Sequence, residues 1–255
     1  VKILVIGDAM ADHYWHGVAS RLSPEAPVPI VSVNRTETRP GGAANVAANI
    51  EAMGVPCERI FGTGERIKKI RLMAGQHVVR IDFDPPQTPI LPDAAFTEAV
   101  GRCDLVVAVD YGKGSLSGIA ALILAASGIP VLVDPKGHDW ERYRGAALIK
   151  PNKDEMPGEA IQLMAAYGIG AILHTQAADG MTLYTPTATL HQASENHAPV
   201  DVSGAGEAAL AAFAAGLAKG LSRPTCLRLA SKAAGIAISR QGTTVCTEEE
   251  VFGPR

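Results

Sequence analysis

Five short apolar runs, spaced by stretches of helical periodicity, constrain this chain more than any other feature. Lys2–Ile6, Leu105–Val109, Val131–Asp134, Ala147–Lys150 and Ala171–His174 are too short for helices and apolar almost throughout. Such runs predict strands buried on both faces. Helical patterns occupy Ala43–Met53, Ala94–Arg102, Ile119–Ala126, Glu159–Tyr167, Glu207–Ala218 and Thr225–Ser239. The alternation predicts βαβ units, and so an α/β fold whose mostly parallel sheet is flanked by helices. Val28–Asn34 and Ile67–Asp84 break the rhythm by alternating like half-exposed antiparallel strands. They predict a small sheet standing off the main body.

Polar residues recur where those strands end. Asp8 follows the first run, Asp110 follows VVAV, Asp134 closes VLVD and Asn152 follows ALIKP. Any one of them reads as an ordinary turn or N-cap residue. Four together mark the crevice at the carboxyl ends of a parallel sheet, where open α/β proteins bind ligands. A further stretch, Asp201-Val-Ser-Gly-Ala-Gly-Glu207, opens a small-residue helix with Gly204, Ala205 and Gly206. Backbone N–H groups at such a turn converge on one point, and the helix start adds partial positive charge. Glu207 lies just inside the turn, where a carboxylate can take a proton from an attacking hydroxyl. The alternative is a Ser203 N-cap on an ordinary packed helix, and this stretch alone does not decide between them.

Composition narrows the remaining classes. The 255 residues, 47% of them hydrophobic and only 5% aromatic, suffice for one large domain or a main domain with a small appendage. A net charge of −3 and no long basic run give no electrostatic case for nucleic acid. No apolar stretch is long enough to span a membrane, and Val1, in place of an initiator Met, leads directly into a strand-like segment. Cys57, Cys103, Cys226 and Cys246 are scattered without metal or redox spacing, the pattern of reduced thiols in a cytoplasmic protein. His13 and His16 are poorly spaced for a zinc site on one helical face. No nucleophile elbow or Walker A sequence occurs, and Gly62-Thr-Gly64 lacks the third glycine of a dinucleotide fingerprint.

Taken with their order, these motifs resemble the ribokinase-like (PfkB) carbohydrate kinases over nearly the whole chain. Arg39-Pro-Gly41-Gly42-Ala-Ala-Asn45 is similar to that family's first signature, Asn152-Lys-Asp-Glu155 to its N-x-x-E element, and Asp201–Glu207 to its second signature. Gly7–Trp15, Ser20–Pro29, Asp110–Gly114, Asp134–Gly137 and Tyr143–Gly145 resemble its heptose-phosphate branch. The resemblance implies a kinase that uses ATP and Mg²⁺ to phosphorylate the C1 hydroxyl of D-glycero-β-D-manno-heptose 7-phosphate. It also implies a product bound for ADP-heptose and the lipopolysaccharide core.

On this reading Glu207 is the base, and Gly204, Ala205 and Gly206 form the anion-accepting turn. Asp12, Gly41, Gly42 and Asn45 meet the sugar, while Asp8 serves either the sugar or its own turn. Arg21, Lys113, Lys136 and Arg144 are the candidate cations for the sugar phosphate. Asn152, Glu155, Gly180, Ser203, Ser231 and Gly242 fall on the nucleotide side, with Glu155 reaching the metal through water. The implied architecture is one domain over 1–255, with lid strands at about 12–38 and 67–84 that also suit a homodimer. Some members fuse a nucleotidyltransferase domain, so this chain is at most the kinase half.

Three features depart from the family pattern. The expected Asp base is Glu207, one methylene longer. A helix and a strand are missing after Gly64, and the segment after Glu155 is short and carries Pro157-Gly158. The departures leave open a second reading: an impaired, kinase-like protein that binds nucleotide or sugar phosphate. A kinase for another sugar phosphate also stays open.

Overall fold

The computed structural model describes residues 1–195 and 199–254. In chain order the first elements are β1 (Ile3–Gly7), β2 (Ala9–Leu22), β3 (Pro29–Gly42), α1 (Ala43–Ala52), β4 (Cys57–Phe61), β5 (Ile67–Ala74) and β6 (Gln76–Phe83). They are followed by α2 (Ala94–Gly101), β7 (Leu105–Val109), α3 (Ile119–Ala125), β8 (Val131–Asp134), β9 (Leu148–Ile149), α4 (Ala160–Tyr167) and β10 (Ile172–Thr175). The chain continues through β11 (Met181–Tyr184), β12 (Thr189–Gln192), α5 (Ala205–Ala218), α6 (Arg223–Ile238) and α7 (Glu248–Phe252).

Eight strands form the main sheet in the order β12-β11-β10-β9-β8-β7-β1-β4. It is parallel from β4 to β10, and β11 and β12 close one edge antiparallel. Successive residues of β1 and β7 face opposite ways. Ile3, Val5, Val107 and Val109 therefore pack with α1, α5 and α6 on one side. Leu4, Ile6, Val106 and Ala108 pack with α2, α3 and α4 on the other. Burial on both faces is why these runs are continuously apolar rather than alternating. The Ala-rich α5 lies at the centre of its layer, where eight consecutive residues from Ala208 to Ala215 are buried.

The second sheet, β3-β2-β5-β6, is mixed rather than wholly antiparallel as expected, because β2 and β5 pair parallel. The cause is topological. β1 and β4 are parallel neighbours, and each runs on from its carboxyl end into a strand of the small sheet, so β2 and β5 emerge side by side in the same direction. Strand β2 also extends the small sheet well before Val28, since Ala9–Leu22 pairs along nearly its whole length with β3. Five residues, 62–66, join β4 to β5 without the helix and strand of the family pattern, as the sequence implied, and a bridge from Thr63 to Thr88 holds that short connection. No helix among the described residues is long and apolar enough to cross a membrane.

Candidate active site

The start of α5 faces the carboxyl ends of β1, β7, β8 and β9, where the strand-end polar residues converge. Gly204 caps α5 in the left-handed region (φ 80°), and no side chain caps the helix. The Ser203 N-cap alternative is thereby answered: the turn is left for its backbone. Instead Asp201 organises it, accepting from the N–H of Ser203 (2.9 Å) and the N–H of Gly242 (2.9 Å). These bonds, with the Arg71 cation nearby, hold the Asp201 carboxyl below its usual value despite the opposing effect of burial, the largest single contribution.

Glu207, in the first turn of α5, is buried, and its Oε1 accepts from the Tyr111 hydroxyl at 2.5 Å. Burial first, and the Glu207 charge second, push the Tyr111 phenol well above its ordinary value, which keeps it a donor. Beneath the same turn lies a charge that the sequence reading missed. Lys150 Nζ is 2.9 Å from Asp134 Oδ1 and 3.1 Å from where a Cβ on Gly206 would sit. Burial pushes the Asp134 carboxyl up to about 6, against the pull of Lys150. Burial also works against the Lys150 ammonium, but Asp134, with the Glu207 and Glu155 charges, holds that group above its ordinary value.

Asn45 supplies the opposite wall. It is fully buried, its Oδ1 accepts from Asn49, and its Nδ2 has no partner. That amide lies 3.1 Å from the point where a Cβ on Gly204 would stand, and the Cα of Thr243, whose hydroxyl is also unpartnered, lies 3.4 Å from it. Orphaned buried polar groups are costly, so this cradle fits a ligand hydroxyl. Asp12 pairs with Arg71, and a side chain on Gly41 would collide with its carboxylate. Gly42 (φ 56°) turns β3 into α1.

The small sheet is tied at its root to the 241–243 turn. Arg39 and Arg71 lie over the Tyr14 ring at 5.2 and 5.3 Å from its centroid. The Tyr14 hydroxyl accepts from the Thr243 N–H (3.0 Å), and Arg39 donates to the carbonyls of Gln241 (2.5 Å) and Thr243 (3.2 Å). Gly242 sits directly against that ring and guanidinium. Farther round the crevice, Asn152 and Glu155 form a reciprocal capping box on a short 3₁₀ turn. Glu155 also receives Lys136 Nζ at 3.3 Å, and Lys113 Nζ pairs with Asp84 at 2.7 Å. Among the described residues no three His, Cys, Asp or Glu side chains gather as a metal site.

Several expected residues are placed elsewhere. Asp8 is fully buried and spends its carboxylate on the loop after β7, accepting from the N–H groups of Tyr111 (2.9 Å), Lys113 (3.0 Å) and Ser115 (3.2 Å). It clamps that loop, the turn-supporting role of the two open to it. Arg21 pairs with Ile30 near the far end of β2, nine residues beyond Asp12 and so about 30 Å along the strand, out of reach of this chain's own crevice. Arg144 precedes β9, at the opposite end of the sheet. It chelates Glu141 (2.9 and 2.8 Å), donates to Ala166 O (3.0 Å) and lies over Tyr167. Its neighbour Arg142 is the one that reaches a strand-end acid, at 3.2 Å from Asp110. Ser231 donates its hydroxyl to Ala193 O (3.2 Å), and Gly180 is required by its turn, where a side chain would strike the backbone of Gln192. Besides Lys150 and Arg142, sequence reasoning missed the side-chain parts played by Tyr111, Arg71 and Thr243. A lysine ending the otherwise apolar run ALIK was the one available signal for Lys150.

Known proteins resemble this chain in both sequence and fold. The family profile described as pfkB family carbohydrate kinase matches residues 109–250. The chain is 40% identical to the bifunctional protein HldE of Stutzerimonas stutzeri over 296 aligned residues, covering 98% of this chain and 62% of that one. It thus spans under two thirds of the length of its bifunctional relatives. It is 38% identical to the D-beta-D-heptose 7-phosphate kinase of Bordetella bronchiseptica over 298 residues, covering 99% and 95% of the two chains. Both alignments run longer than the 255 residues available, so the relatives carry residues that this chain lacks. In fold it is similar to Arabidopsis thaliana ribokinase complexed with ribose and ATP (TM-score 0.78, 20% identity, 98% and 97% covered). Escherichia coli phosphofructokinase-2 in complex with potassium is alike to a similar degree (TM-score 0.76, 17% identity, 99% and 96% covered).

Proposed function

The chain belongs to the pfkB family of carbohydrate kinases, and from that premise we propose that it phosphorylates a heptose 7-phosphate. The γ-phosphoryl of ATP goes to the C1 hydroxyl of D-glycero-β-D-manno-heptose 7-phosphate, giving the 1,7-bisphosphate. The observation that carries this reading is the cradle itself. A buried carboxylate, Glu207, lies in the first turn of a helix whose uncapped start faces the orphaned amide of Asn45. The Bordetella relative named for this activity supports the choice of sugar.

In this reading Asn45 and Asp12 hold sugar hydroxyls, and Glu207 accepts the proton that leaves the attacking one. The N–H groups of Gly204–Gly206, with the Lys150 cation beneath them, favour the charge that builds on the transferring group. Lys113 and Lys136 are the cations at the crevice that remain as partners for the sugar phosphate, each now on a carboxylate. Asn152, Glu155 and the 241–243 turn line the nucleotide side. Mg²⁺ would come with the nucleotide phosphates and neutralise them, and Glu155 would touch it through water. The small sheet acts as a lid on a single kinase domain, excluding water from the crevice. Its exposed Val18, Val33, Val79, Ile81 and Phe83 suit a second copy. The product would feed ADP-heptose and lipopolysaccharide core synthesis in the cytoplasm.

A second reading, a kinase-like binder with impaired turnover, is favoured by the longer carboxylate at 207 and the shortened connection at 62–66. Glu207→Gln separates the two. The kinase reading expects sugar-dependent ADP production to fall about 10²–10⁴-fold. Unchanged ADP production would remove Glu207 from the reaction.

A further inference from the structure

We infer that Tyr111 is the positioning residue that makes the longer carboxylate of Glu207 usable, holding one oxygen so that the other is presented to the sugar. The inference rests on the kinase reading for the carboxylate's role, but the hydrogen bond itself does not.

Two features fix the phenol. Its backbone cannot move freely, because Asp8 accepts from the N–H groups of Tyr111, Lys113 and Ser115, while Asp110 accepts from Gly112 N–H at 2.8 Å. Its ring packs against the buried layer that contains α5. The hydroxyl therefore meets Glu207 Oε1 from a fixed position, at 2.5 Å. A Glu side chain has one more rotatable bond than Asp and must give up more freedom to hold one geometry. An anchored donor on one oxygen removes that freedom before substrate arrives. Among the described residues no hydrogen bond to the second oxygen is recorded, so Oε2 is left for the substrate proton.

Length makes the contact specific to Glu. Removing one methylene from residue 207 withdraws the carboxylate by about 1.5 Å, which turns a 2.5 Å contact into one of about 4 Å, beyond hydrogen-bond range. Asp8, fully buried, thereby gains an indirect part in the chemistry: it holds the loop that holds the phenol that holds the base.

The test is a double-mutant cycle read by steady-state kinetics with Mg·ATP and D-glycero-β-D-manno-heptose 7-phosphate. Tyr111→Phe in the native chain should lower kcat about 10–100-fold, with KM for both substrates within about twofold. In the Glu207→Asp background the same change should lower kcat less than about threefold, since the contact is already gone. An equal loss in both backgrounds would overturn the inference and leave Tyr111 a packing residue. If the native chain shows no turnover, the kinase reading fails, and the hydrogen bond is read directly instead. Ultraviolet resonance Raman difference spectra, native minus Tyr111→Phe, should show a strongly donating phenol that loses this signature in a Glu207→Leu background. A signature unchanged by Glu207→Leu would overturn the inference on its own.

Discussion

Replacing Lys150 with Met removes the cation beneath the α5 turn and leaves Asp134 buried without its counter-ion. Breaking a buried ion pair from one side usually costs about 3–5 kcal/mol. Here the cost has an escape, and the escape has a pH signature. Even with Lys150 in place, burial holds the Asp134 carboxyl at about 6 rather than 3.8. Taking the cation away moves it higher still, so near neutral pH the variant relieves itself by binding a proton. The folded state then binds more protons than the unfolded one, and stability falls as pH rises toward the new value. In the native protein this group's contribution falls between 3.8 and about 6 and is flat above that. The variant should go on falling, by about 1.4 kcal/mol per pH unit. Between about pH 6 and 8 the gap should widen by up to ~2.7 kcal/mol, or about 5–10 °C in Tm for a chain of this size. Differential scanning calorimetry across that range measures it directly. Lys150→Met/Asp134→Asn should close the widening gap. A Lys150→Met variant that tracks the native protein from pH 6 to 8 would refute the claim that Asp134 depends on Lys150 in the folded state.

Two further outcomes concern the periphery of the fold. Ala177 is the sole non-glycine residue with positive φ (53°) among the described residues, a conformation that costs an L side chain about 1–2 kcal/mol. Ala177→Gly relieves that strain but loosens the unfolded chain, so Tm should rise by about 1–3 °C, and a fall would show the backbone there is not strained. Glu58 is held down to about 2 by hydrogen bonds from Arg102 and Lys2, and Glu250 to about 2 by Arg240 and the Thr247 N–H. Their folded values lie below the usual 4.5, so their stabilisation is complete above that pH and is lost as pH falls toward 2. The acid limb of the Tm–pH curve should be shallower in Glu58→Gln/Glu250→Gln, and parallel curves would rule the two pairs out as contributors.

Five of the main sheet's eight strands were legible because burial on both faces leaves a strong sequence signal: runs such as LVVAV are apolar at every position, whereas β4, β11 and β12 at its margins mix polar residues into short runs and gave no such signal. Strand β2 came only with the family resemblance, which put lid strands at about 12–38; periodicity did not show it, because AMADHYWHGVASRL mixes small, polar and aromatic residues and its pairing is set by long-range contact with β3 and β5. The parallel β2–β5 pair was beyond local sequence altogether, since its direction is inherited from β1 and β4. For the site, the turn stood out because its left-handed Gly204 favours glycine, and Glu207 because it is the one carboxylate in the first turn of the small-residue helix that follows. Cations did not sort themselves. Arg21, Arg144 and Arg142 have the same chemistry, and only the fold separates a lid tip, a sheet bottom and a strand-end acid. Asp8 was open between sugar and turn until its three N–H donors were seen. Tyr111 went unseen as a site residue, and Lys150 offered only the hint of a lysine ending an apolar run, because each works through a partner distant in sequence, Glu207 in one case and the Gly206 turn in the other.

The central claim is that this cradle transfers a phosphoryl group to the anomeric oxygen of a heptose 7-phosphate. ³¹P NMR of the protein with Mg·ATP and D-glycero-β-D-manno-heptose 7-phosphate tests it most directly. The account predicts a new anomeric phosphate resonance that grows in step with ADP and is absent with Glu207→Gln. ATP left intact beside a bound, unmodified sugar phosphate would contradict it and leave the chain a kinase-like binder.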